Sequence, residues 1–201
     1  MAIAINGSGT ITGVSVGGLP DGIVDTDMLA AAAVTAPKRG SGSILQVVST
    51  TKTATASQSI GAGSVWPYND ASLRATITAS NASNFFRITG QIVTGSNGLS
   101  VSAMLADDGS AVTTTGARGD ASGSTNRSLC GTNYVDNEGV VTMSFHVYIS
   151  CADTNEHKFH FTFWHNGGGT NTLYINRPNS ATDSTGRGRY ISNITVEEIA
   201  A

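Results

Sequence analysis

From Ile44 onward, apolar residues recur at every second position in short runs separated by turn residues. Leu73, Ala75 and Ile77 alternate with Arg74, Thr76 and Thr78, and the runs Phe85 to Thr94 and Leu99 to Leu105 repeat the pattern on either side of Gly95-Ser-Asn-Gly98. A period of two is the mark of a strand with one buried and one wetted face. Such runs, bounded by Gly, Asn, Asp and Ser clusters, read as successive antiparallel strands. Ile44 to Thr53 opens the series, and the runs Thr172 to Arg177 and Tyr190 to Ile199 close it. Gly90, inside one run, predicts a bulge or a close backbone approach. About eight or nine strands spaced in this way predict an all-β fold, an antiparallel two-sheet sandwich of jelly-roll-like topology over residues 44–201.

The clearest alternation lies between Val140 and His165. Met143, Phe145, Val147 and Ile149 share one face, and Phe159, Phe161 and Phe163 share another, on either side of Ala152-Asp-Thr-Asn155. The pattern predicts a hairpin with Phe145 opposite Phe161 and Val147 opposite Phe159, the phenylalanines marking the centre of the core. The same register sets His146 opposite His160 and Thr142 opposite Trp164 on the other face. Two facing imidazoles are the beginning of a metal site. No third ligand stands at a recognisable spacing, and structural sites use about four, so no metal is expected and both histidines are expected at a polar interface. Trp164, on that face, is expected to meet a neighbouring subunit or lie exposed.

Residues 107–127 interrupt the pattern with a long polar loop whose last apolar anchor is Val112, and Pro178 to Arg189 forms a second. Loops of this length are usually functional or mobile. The first contains Arg118-Gly-Asp120, a triplet found in integrin ligands but short enough to recur by chance. Trp66-Pro-Tyr68 falls in a loop between the first two strands, where its rings either stack on sugars or plug one end of the sandwich.

The segment before the sandwich, residues 1–43, has another character. Ile11, Val14 and Val16 alternate with Thr and Ser among frequent glycines, which suits an extended strand that lacks a partner of its own. Asp25-Thr-Asp27 then supplies an N-cap and acidic first turn for a short helix beginning at Met28-Leu29, which Pro37 stops. Lys38-Arg-Gly-Ser-Gly-Ser43 reads as a hinge.

The string Gly17-Gly-Leu-Pro-Asp-Gly-Ile-Val-Asp-Thr-Asp-Met-Leu-Ala-Ala-Ala-Ala-Val-Thr-Ala-Pro-Lys38 resembles the necks of bacteriophage fibres, which place a segment of this kind ahead of a globular β-rich head. Leu173-Tyr-Ile-Asn-Arg and Ile191 to Ile199 resemble the close of compact fibre heads. Fibre necks usually repeat the unit, and here it occurs once, which favours a short spike over a long shaft. The resemblance implies a structural virion protein, a homotrimer seated on other virion proteins of tail or capsid through its arm. Ile11, Val14, Val16, Leu19, Met28 and Leu29 are the expected anchors. Trp66, Tyr68, Arg118, Asp120, His146, His160 and Trp164 are the candidate ligand or interface residues, with a host surface glycan as the expected ligand. A capsid decoration or cement protein, and a free non-catalytic carbohydrate-binding module, are the alternatives.

Composition narrows the remaining classes. Charged residues make up 12% of the 201-residue chain and the formal net charge is -3, so nothing predicts a nucleic-acid partner. No run reaches the ~18 apolar residues of a bilayer span, and Met1 to Asn6 lacks the positive n-region of a signal peptide. Cys130 and Cys151 are expected to be free thiols. Catalysis needs titratable groups brought together, and the acids are scattered in loops without a GxSxG, HExxH or phosphate-loop motif. Neither enzymatic activity nor a cofactor is expected.

Overall fold

The computed structural model describes residues 34, 38–62, 66–68, 70–97, 99–114, 116–123, 127–135, 139–165, 168–180 and 187–201, with the backbone alone at 66–68, 99 and 132–135. The expected anchors from Ile11 to Leu29 and the short helix of the arm lie outside these residues. The chain divides into two units, Met1–Arg39 and Gly40–Ala201. The second unit is all-β, two antiparallel sheets packed as a sandwich, as the alternation predicts.

The first sheet is built around a single long strand, β5 (Phe85–Ser96). On one side β5 pairs with β9 (Val141–Ser150). On the other it pairs with two shorter strands lying end to end, β12 (Ser192–Ile199) along its first half and β11 (Thr170–Ile175) at its end. Outside these run β1 (Ile44–Lys52) against β12 and β2 (Ala56–Gly61) against β11. Thus β11 and β12 follow one line, interrupted by the excursion of residues 176–191. Gly90 sits where β5 pairs with β12, in register with Ile194, and a Cβ there would collide with Asn193 O. The expected close approach is real.

The second sheet centres on β10 (Glu156–His165). It is flanked on one side by β3 (Trp66–Tyr68) and β4 (Ala75–Thr78), and on the other by β6 (Leu99–Asp107). β7 (Ser110–Ala111) and β8 (Cys130–Val135) lie beyond β6.

The expected hairpin of residues 140–165 is not formed, because β9 and β10 belong to different sheets. Residues 151–155 carry the chain from one layer to the other, turning at Ala152 (φ 65°) and at Asp153, whose Oδ1 accepts Asn155 N–H at 2.7 Å. Phe145 and Phe161 do meet, edge to face with ring centroids 5.3 Å apart, but across the core instead of along a ladder. Strands that pair in a plane and strands that face each other across a sandwich place their apolar residues on the same side of the chain. Alternation alone does not separate the two arrangements.

Phe86, Phe159, Phe161 and Phe163 are each at most 1% exposed and fill the centre with Ile88, Ile92, Leu105, Leu173, Ile175 and Ile194. Residues 107–114 and 116–123 are more structured than a free polar loop. Asp108 (φ 42°) and Gly109 (φ 87°) are the two central residues of a β6–β7 hairpin, the pairing that a type I′ turn requires. Ala117, 1% exposed, adds an anchor in the core beyond Val112.

Candidate functional site

The sequence candidates do not converge on one place. Trp66 and Tyr68 stand in β3, not in a loop, with their backbones registered against Phe163 and Phe161. Arg118 is half-buried, with Nε enclosed and without a hydrogen-bond partner among the described residues. Asp120 is exposed, its Oδ1 accepting Ala121 N–H at 2.8 Å. Gly119 between them is pinned by Ser128 O and by Arg127 Nε–H, so the triplet forms part of a fastened loop. Cys130 and Cys151 are free thiols, as expected.

His146 and His160 are separated by the same sheet assignment that dissolves the hairpin. His146 is exposed on β9, registered with Thr89. His160 is buried on β10, registered with Ala106, its Nδ1 2.9 Å from Lys158 O. Among the described residues no group of His, Cys, Asp and Glu is placed to hold a metal. His160, Thr162 and Trp164 share the face of β10 turned away from the core. The first two are 1% exposed and Trp164 is half-buried. Their Nε2, Oγ1 and Nε1 atoms are enclosed without hydrogen-bond partners among the described residues.

Two groupings appear that the sequence reading missed. The first is a cavity of about 240 Å³ at the end of the sandwich, lined by Phe86, Asp107, Val112, Ile149, His157 and Phe159 among others. Asp107 fixes the imidazole, with Oδ2 2.6 Å from His157 Nδ1 while Oδ1 accepts Lys158 N–H at 2.7 Å. His157 stacks on Phe159 and meets Phe86 edge-on. The thiol nearby is not primed for attack. Burial, with a smaller contribution from Glu198 and Asp153, pushes the Cys151 pKa up to about 12.

The second grouping is the outer face of the first sheet, where four strands align their outward residues in rows. One row reads Val47, Glu197, Arg87, Tyr148 across β1, β12, β5 and β9. The next reads Ser49, Thr195, Thr89, His146, and the third Thr51, Asn193, Gln91, Ser144. Arg87 donates through Nε to Glu197 Oε2. That bond and the paired charges raise the arginine pKa and hold the glutamate below the usual carboxylate range, with a further pull from His146 on Glu197. Ser49 and Thr195 share a hydrogen bond of 2.8 Å. Tyr148, 48% exposed, stacks on Phe85 with centroids 4.9 Å apart. Alternation marks each of these residues as outward-facing in its own strand. Only the lateral strand order, which the sequence does not carry, brings them together.

No protein-family model matches the chain, and no curated protein matches it. Among solved structures it is similar to a chain in the structure of infectious bursal disease virus strain Gt, at 17% identity and a TM-score of 0.40, covering 91% of this chain. A chain from strain Gx of the same virus is similar at 16% identity and a TM-score of 0.39, again over 91% of this chain. The chain spans 43% of the length of each of these two.

Proposed function

We propose that this chain is a structural protein of a virus particle: a short trimeric fibre or spike, seated through its arm and presenting the β-sandwich as its head. The observation that carries the reading is the segment Gly17–Lys38, which resembles a fibre neck and runs directly into an all-β unit beginning at Gly40. A strand-like arm with apolar residues at 11, 14 and 16 gains partners when three copies gather around an axis. The head's role is attachment to the host surface, and the arm's partners are virion proteins of tail or capsid.

Light scattering on the full chain tests the assembly. The expected result is three times the 20.6 kDa chain mass. A monomer at micromolar concentration overturns the fibre reading and leaves a lone binding module in its place.

A further inference from the structure

The structure assigns a specific docking surface to the head: the outer face of the first sheet, as a platform for a neutral glycan chain. The proposal deepens the attachment role given above and rests on it for its biological setting.

Charge comes first. The full charges in the three rows are Arg87 and Glu197, and these are hydrogen-bonded to one another, so they cancel. The remaining side chains offer hydroxyls, amides, one imidazole and the Tyr148 ring. A face with no net charge gives no long-range pull on a polyanion or a polycation. A neutral ligand has no such need.

Shape and polarity narrow the class further. Ladder geometry sets the outward residues about 5 Å apart between strands and about 7 Å apart along them, a regular grid of donors and acceptors on an open surface. A protein-binding surface concentrates its apolar and aromatic residues at the centre and its polar ones at the rim. Here the order is reversed. Thr195 and Thr89 occupy the middle, and Asn193 and Gln91 continue the polar surface to one end, while Val47 and the Phe85–Tyr148 stack lie towards the other. A neutral polysaccharide carries what this face can use: hydroxyls able to donate and accept, and C–H surfaces that pack on an exposed aromatic ring. On the central strand of the other sheet the outward residues His160 and Thr162 are buried.

The test is affinity electrophoresis of the full chain through gels containing dextran, galactomannan, xyloglucan or mixed-linkage β-glucan, with dextran sulfate and polygalacturonate as anionic probes. Retardation is expected in at least one neutral gel and in neither anionic one. Tyr148→Ala and Gln91→Ala are each expected to weaken binding about tenfold, with unchanged thermal unfolding, whereas Tyr190→Ala, off this face, binds as the parent chain does. No retardation by any neutral polysaccharide overturns the proposal. So does preference for an anionic probe, or full binding by a folded Tyr148→Ala chain. Failure here leaves the trimer mass untouched, and a monomer that still binds dextran keeps the platform while removing the fibre.

Discussion

The Ser192 hydroxyl donates to Asn176 Oδ1 at 2.6 Å, and both residues are fully buried. They clasp the point where the β11–β12 line is interrupted. The Asn176 amide donates to Lys52 O at 2.8 Å and Ala54 O at 3.2 Å, the carbonyls left over where β1 gives way to β2. Ser192 Oγ accepts Val93 N–H at 2.9 Å, and Asn176 N–H bonds Val93 O. Two side chains thereby satisfy backbone groups of β1, of the β1–β2 connection and of β5 at one level. Asn176→Ala leaves those carbonyls unpaired and places alanine at φ 60°. The expected loss is about 2–4 kcal/mol by urea unfolding. Asn176→Gly removes the bonds without the backbone cost and is expected to lose about 1–3 kcal/mol.

The excursion that leaves from Asn176 presses on β5. A Cβ at Gly95 would stand 2.6 Å from Arg177 O and 2.9 Å from Pro178 Cα, and one at Gly90 would meet Asn193 O. Backbone cannot yield as a side-chain tip can, so Gly95→Ala and Gly90→Ala are each expected to destabilise by about 1–3 kcal/mol. Gly168, with open space around it, serves as the contrast. Gly168→Ala is expected to change stability by less than about 0.5 kcal/mol in the same thermal melts.

Glu198 carries a carboxylate into the interior. Burial pushes its pKa up, but Asn84 Nδ2, Ser80 N and Oγ, and Gln46 Nε2 donate to it at 2.6–2.8 Å and more than offset burial, leaving it below the ordinary range. A folded pKa below the unfolded value of about 4.3 means that this stability is complete above that pH. It is lost as pH falls through the folded value. Glu198→Gln is expected to cost about 1–3 kcal/mol at pH 7 and to flatten the decline in stability below about pH 4. Asp153 and Glu197, also lowered, leave a residual slope.

Both thiols are held protonated by burial, Cys130 up to about 11 and Cys151 up to about 12. Iodoacetamide at pH 8 is expected to label the native chain on the order of 10²-fold more slowly than the urea-unfolded chain. Cys151, 1% exposed, should be the slower of the two. Mass spectrometry over time reads both rates.

Most strands that pack the core were legible because burial writes itself into every second residue. Leu73, Ala75 and Ile77, and Phe159, Phe161 and Phe163, are all found inward as expected, and Phe85 to Thr94 falls in one long strand. The strands missed are those whose pairing leaves little apolar trace. Ala56-Ser-Gln-Ser-Ile-Gly61 is an edge strand, and Cys130 to Val135 lacks a clean alternation. Lateral order was not legible. His146 and His160 look adjacent along the chain yet lie in separate sheets, while Arg87 and Glu197, far apart in sequence, share a row.

Where the body opens and where it closes are the same place. Gly42 N–H bonds Ala200 O and Ala200 N–H bonds Ser43 O, both at 2.9 Å, just before β1 and β12 begin their antiparallel ladder. A tensile load applied between those two points therefore meets one rung at a time, from Ile44–Ile199 towards Lys52–Ser192, and peels the edge strand at low force. A load entering at Ser43 and resisted at the far end of β5 must instead shear the whole ladder at once. The mechanical strength of the sandwich depends on the direction of pull, weak across its own threshold and strong along the sheet.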